Sequence, residues 1–191
     1  MNRLVRLARD RRGASAAEFA LVLPLLILFL LGIIDVGRLM WTFNQAEKAT
    51  QVGVRAAVVT DVIPTALNVD FAEDYDLVGG DPVPTSVFSN TTCDDSNCGG
   101  GWGYDANAFD YVETRMSNIF PAVTPANVKI RYDNVGLGFA GDPSGPDVSA
   151  LVTVRLEGLT FAPMVLFGAS FPLPDFRASL TGEDLSGTVS N

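Results

Sequence analysis

Histidine is missing from this sequence of 191 residues. A chain without histidine has no Ser-His or Cys-His nucleophile pair and no histidine general base, so we do not expect an enzyme, although carboxylate chemistry stays open. Basic residues are also few, since 13 Lys and Arg stand against 22 Asp and Glu and give a formal net charge of −9. Nucleic-acid binding needs a basic stripe, and this composition does not favour one.

A phosphate-binding loop is missing as well. The glycine-rich stretch GGGWG at residues 99–103 lacks the Lys-Ser/Thr pair that such a loop requires. A flexible loop tip explains it more simply. We therefore expect no nucleotide cofactor, and nothing in the sequence points to another cofactor.

Cysteine is limited to Cys93 and Cys98, which are separated by four residues in a loop-like segment. A zinc site needs four ligands, and two cysteines without any histidine do not supply them, so no metal site is predicted. In an oxidising compartment the pair would close a small disulfide loop, and two free thiols are the alternative.

The acidic stretch that contains these cysteines, CDDSNCGGG, resembles part of a calcium-binding loop. When the loop is counted from Asp95, its fifth position is Gly99 and its twelfth is Ala106, so two ligand positions fail. Calcium held by an irregular loop and a solvated acidic loop both stay open at this point.

A long apolar run is what the chain does have, close to its N-terminal end. The segment from Phe19 to Ile34 contains 16 residues without a charge. Counted from Ala14, the stretch reaches 21 residues and is interrupted only by Ser15 and Glu18. Because about 20 apolar residues cross a bilayer as a helix, the run predicts a transmembrane segment at about residues 16–36.

Charge is divided unevenly around this run. Residues 1–13 hold five arginines and one acid, whereas residues 14–191 hold 8 basic and 21 acidic side chains. A short basic leader beside a membrane span stays on the cytoplasmic side, which places the acidic remainder outside. A secretory signal peptide is less consistent with the run, because the apolar core of a signal is about 7–15 residues long.

The helical pattern continues beyond the predicted span. Small residues recur every three to four positions from Ala46 to Ala57, and Asp61 and Pro64 mark a stop. We therefore predict a basic leader at 1–13, one long helix at 14–60 and a domain at 61–191.

The remaining sequence predicts a small α+β domain. Turn-forming residues dominate 62–105, and an amphipathic helix follows at 105–120. Two strands at 127–135 and 148–159, together with a final edge strand at 176–183, predict an antiparallel sheet. The expected fold is a long N-terminal transmembrane helix that continues into this sheet domain.

Glu18 is the unexpected residue, because an ionised carboxylate in hydrocarbon is costly and usually has a function. The stretch Gly13-Ala14-Ser15-Ala16-Ala17-Glu18-Phe19 resembles the processing site of type IV prepilins, with a basic leader, a glycine and a glutamate as the fifth mature residue. Within that class the segments "RRGASAAEFALVLPLLILFLLGIIDVGRLM" and "QVGVRAAVV", and more weakly residues 150–184, are similar to the TadE-like proteins of tight-adherence (Tad/Flp) pilus systems.

This resemblance implies a pilin-like fold and a minor pilin or pseudopilin of the bacterial inner membrane, with a cytoplasmic N-terminus and a periplasmic domain. A prepilin peptidase would cut between Gly13 and Ala14, and Glu18 would act in assembly with other pilins and Tad components. The mature chain would act in pilus biogenesis and adhesion, either within the filament or in priming it.

Two alternatives to this interpretation stay open. Glu18 could extend to the cytoplasmic interface of an uncleaved single-pass protein whose periplasmic domain binds a ligand or partner. A membrane-tethered enzyme that uses carboxylates is the weaker alternative. Residues 62–126 leave open what the domain recognises, and the sequence does not separate a TadE role from a TadF or TadG role.

Overall fold

The structure is a computed structural model that describes residues 14–143, 146–165, 168–182 and 185. The predicted leader, with Gly13 at its end, lies outside the described residues. Helix α1 begins at Ala14, ends at Ala57 and continues through Pro24. Proline has no N–H to donate, so the carbonyl of Ala20 loses its usual helical partner.

In the part of the chain that the structure describes, two further α-helices follow α1. Helix α2 is a single turn, Phe71–Asp74, and α3 extends over Ala106–Ser117. Asp105 caps α3 by accepting the backbone N–H groups of Asn107 and Ala108. Short 3₁₀ turns lie between these elements and the strands, at Thr65–Leu67, Gly99–Gly101 and Pro125–Asn127.

Among the described residues, six strands form two sheets. Their bounds are β1 Asn90–Cys93, β2 Val128–Asp133, β3 Leu151–Leu156, β4 Thr160–Phe161, β5 Phe171–Pro172 and β6 Phe176–Thr181. The larger sheet has the order β1-β2-β3-β6 and is antiparallel throughout. Strands β4 and β5 form a separate pair. A long N-terminal helix followed by a small antiparallel sheet confirms the α+β fold predicted from the sequence.

Strand β1 lies within the segment where the sequence shows mainly turn signals. Its residues, Asn-Thr-Thr-Cys, carry little hydrophobic pattern, but Thr91 and Cys93 are buried. They pair with Tyr132 and Ile130 of β2. Pairing with a neighbouring strand therefore decides this element, and local sequence does not reveal it.

The chain divides into two compact units. The first contains the chain up to Trp41 together with residues 161–171, and the second contains residues 42–160 and the chain from Pro172 onward. In the second unit, the predicted small-residue face of α1 is buried: Ala46, Ala49 and Ala57 are fully inaccessible to solvent. The ring of Phe43 contacts that of Phe176 edge-on, with centroids 4.7 Å apart.

Candidate functional site

The first unit is dominated by an apolar helix surface that the described chain leaves almost entirely uncovered. Only 6% of the most apolar 18-residue window of α1 is buried, and the helix is long and apolar enough to cross a membrane. Large side chains are exposed along it, including Phe19, Leu21, Leu25, Phe29, Ile33 and Trp41. Contact between such a surface and water is unfavourable. An exposed apolar patch of this size therefore indicates a membrane or protein contact.

Glu18 is exposed on this helix, four residues after its first residue. Residues four apart lie on the same helix face, about 6 Å apart along the axis. Among the residues that the structure describes, none forms an ion pair with Glu18. The carboxylate is therefore available to a partner from outside this part of the chain.

Asp35 is a residue that sequence reasoning did not single out. It is 7% exposed, although it follows the apolar run directly. Its Oδ2 accepts the backbone N–H of Val165 at 2.9 Å, and its Oδ1 accepts from the Arg38 guanidinium at 3.0 Å. Because Val165 lies 130 positions away, no local spacing could have revealed this contact.

Arg38 links this carboxylate to an aromatic pair. Its guanidinium carbon lies 5.4 Å from the ring centroid of Phe161, which is a cation–π distance. Phe161 in turn contacts Phe171, with ring centroids 5.4 Å apart. An open apolar cavity of about 230 Å³ lies beside them, lined by Gly32, Asp35, Val36, Leu39, Phe161, Pro163, Val165 and Phe171.

A disulfide joins Cys93 and Cys98 in the second unit, as their spacing predicts. The four residues between them form a tight turn around Asp94. Oδ1 of Asp94 accepts the backbone N–H groups of Asn97 and Ser96 and the Ser96 hydroxyl at 2.9–3.0 Å. These hydrogen bonds lower the pKa of Asp94 to about 2, and Lys129 lies 3.6 Å from its other oxygen.

This acidic turn bears on the open question of calcium. The best-placed oxygen of Asp94 is already occupied by three protein donors, so it is poorly available to a cation. Within the described residues, no group of three or more His, Cys, Asp or Glu is placed to hold a metal ion.

Comparison with known proteins identifies the N-terminal part of the chain. No curated protein and no solved structure matches it. Residues 13–55 match the family model described as TadE-like protein, and residues 150–184 lie outside that match. The match covers Gly13, Glu18 and nearly all of α1. The resemblance drawn from the sequence is confirmed over these residues, and the N-terminal segment of this chain is TadE-like.

Proposed function

We propose that this chain is a minor pilin or pseudopilin that is cleaved between Gly13 and Ala14 by a prepilin peptidase and acts in the assembly of a Tad/Flp pilus and in adhesion. The observation that carries the proposal is the TadE-like match, which begins at Gly13 and extends along the exposed apolar helix. The mature chain would be a structural component and not a catalyst.

The chemistry of the proposed cut suits the residues around it. Gly13 has no side chain to exclude from the cleft of the peptidase. Cleavage would free an α-amine at Ala14, which is positively charged near neutral pH. Since α1 begins at this residue, the new amine would stand at the start of the membrane helix, one turn before Glu18.

Assembly would then pair two charges that are each costly in lipid. When neighbouring subunits stagger, the Glu18 carboxylate of one can meet the Ala14 amine of the next. Such a pair specifies register more surely than it adds stability, because desolvation offsets much of the attraction. Exposure of Glu18 and of the surrounding apolar side chains supports this role.

The proposed location follows from the leader and the helix. The five leader arginines would stay in the cytoplasm, α1 would cross the inner membrane, and the second unit would lie in the periplasm. An oxidising periplasm also suits the Cys93–Cys98 disulfide.

The intact mass and N-terminal sequence of the protein extracted from membranes test the proposed cleavage. A chain that starts at Ala14 only when the prepilin peptidase is present supports the proposal. A chain that starts at Met1 in both strains contradicts it, and an uncleaved single-pass protein with a periplasmic binding domain takes its place.

Glu18→Gln tests the assembly role separately. Processing and membrane insertion should persist, whereas pilus number should fall at least tenfold, because leaving one buried charge unpaired costs about 3–5 kcal/mol. Glu47→Gln is the matched control, since Glu47 is exposed on the same helix in the second unit. Equal pilus numbers in both variants would leave Glu18 without an assembly role.

A further inference from the structure

Residues 161–171 join the membrane helix although they come late in the chain. This segment, FAPMVLFGASF, contains eleven residues and no charge. It forms one compact unit with the chain up to Trp41, whereas all other residues after Trp41 belong to the second unit. Residues 166 and 167 lie outside the described part of the chain.

The segment meets the helix where the predicted span ends. Its side chains line a cavity with Gly32, Asp35 and Val36 of α1. A hydrocarbon core of about 30 Å takes about 20 helical residues, which corresponds to residues 16–36. Gly32 is four residues before that end and therefore lies about 6 Å inside the hydrocarbon boundary.

Apolar side chains of the segment face outward at this level. Met164 is 51% exposed and Phe171 is 37% exposed, and Ala162 is exposed beside them. Transfer of apolar surface from water to acyl chains is favourable by about 25 cal/mol per Å². The segment carries no charge that lipid would penalise, and at the membrane interface the backbone groups of its irregular part keep access to water and lipid headgroups.

The Asp35 carboxylate holds the segment at the end of the predicted span. A carboxylate at the edge of the hydrocarbon is costly unless it is paired. The N–H of Val165 and the Arg38 guanidinium supply hydrogen bonds, and the carboxylate is nearly inaccessible to solvent. The segment therefore supplies a hydrogen-bond donor to the Asp35 carboxylate, and this hydrogen bond holds the segment against the helix.

We propose that residues 161–165 and 168–171 form a second membrane-contacting element beside α1 at the outer-leaflet interface, where their exposed apolar side chains contact the upper acyl chains of the lipids. The inference rests on the membrane span of the proposed function but not on cleavage or pilus assembly. Continuity with the exposed apolar surface of α1 identifies lipid as the occupant.

Depth-dependent fluorescence quenching of the full-length chain in phosphatidylglycerol/phosphatidylethanolamine vesicles tests the proposal. The two native cysteines form a disulfide, so Met164→Cys would introduce a single free thiol for an environment-sensitive dye. Lipids with a spin label high or low on the acyl chain report the depth of the dye. Leu25→Cys serves as the mid-span reference and Val78→Cys, 70% exposed in the second unit, as the reference outside the first unit.

The expected result is at least twofold stronger quenching of the Met164 dye by the shallow label than by the deep label, and the opposite order for Leu25. Ala162→Cys should repeat the Met164 pattern if that position labels poorly. If the dyes at Met164 and Ala162 are quenched no more strongly than the dye at Val78, while the dye at Leu25 is quenched, the membrane contact of the segment is contradicted. The membrane span of α1 is then still supported.

Two other outcomes also overturn it. If the dye at Leu25 is not quenched, α1 does not span the membrane, and the proposed membrane contact of the segment is contradicted as well. Thiol cross-linking of Met164→Cys between two copies, without lipid quenching, would show that a second copy of the chain covers the segment instead of lipid.

Discussion

The backbone N–H of Phe71 donates a 2.7 Å hydrogen bond to Oδ2 of Asp147, a residue 76 positions later in the chain. The same carboxylate accepts the N–H groups of Gly141 at 2.8 Å and Asp142 at 2.9 Å. Asp147 is 2% exposed. One buried side chain thus connects the start of α2 to the loop between β2 and β3.

Asp147→Ala is expected to lower the free energy of unfolding of the second unit by about 3–5 kcal/mol. Three backbone donors would lose their acceptor, and each unsatisfied buried group costs about 1–3 kcal/mol. Chemical denaturation of the full chain in detergent measures the effect. Asp175→Ala removes an exposed carboxylate and should change the free energy by less than about 0.5 kcal/mol. Equal effects of both substitutions would contradict the structural role of Asp147.

Gly53 of α1 lies against the side chain of Met116 of α3. A Cβ at position 53 would lie 2.5 Å from the Met116 sulfur and 3.3 Å from Val154. Gly53→Ala should therefore destabilise the second unit by about 1–2 kcal/mol, because overpacking outweighs the gain in helix propensity. Thermal unfolding followed by circular dichroism measures the loss.

Two comparisons make the test of Gly53 specific. Gly37→Ala, whose Cβ would meet nothing within 4 Å, should cause no loss. The double variant Gly53→Ala/Met116→Ala should cost less than the sum of its single substitutions, because the smaller side chain removes the clash. Strict additivity would show that the two residues are not in contact.

Asp94 makes the turn inside the disulfide loop sensitive to acid. Its pKa is lowered to about 2 from the ordinary 3.8, so the turn is stabilised fully above pH 3.8 and loses that contribution as the pH falls toward 2. Solvent screening keeps the effect on stability below about 1 kcal/mol. A carboxyl titration by nuclear magnetic resonance should therefore give Asp94 a midpoint well below the ordinary 3.8. A midpoint at the ordinary 3.8 would contradict the hydrogen bonds at Asp94.

The Cys93–Cys98 disulfide closes a short loop at the end of β1. In the chain-entropy account, a loop of this size stabilises the fold by about 2 kcal/mol. Denaturation of the chain with and without reductant should show this difference, and the double substitution Cys93→Ser/Cys98→Ser should lose stability to a similar extent. No effect of reductant on the midpoint of the wild-type chain would mean that the closed loop adds nothing.

The sequence alone determined the parts of this protein that depend on local composition. The apolar run and its length specify α1, Asp105 marks the start of α3, and the alternating pattern predicts β2 and β3. Gly13, Ala14 and Glu18 were found because prepilin-like processing depends on a short contiguous motif. Their roles in cleavage and assembly stay predictions.

Only the tertiary structure decided the features that depend on distant partners. Strand β1 exists because β2 pairs with it, and its polar residues give no local signal. Asp35 and Asp147 look like ordinary acids in the sequence, but chain segments 130 and 76 positions away bring backbone donors to their carboxylates. Burial makes those hydrogen bonds obligatory, since an unpaired charge or donor away from water is costly, and burial is a property of the packed chain.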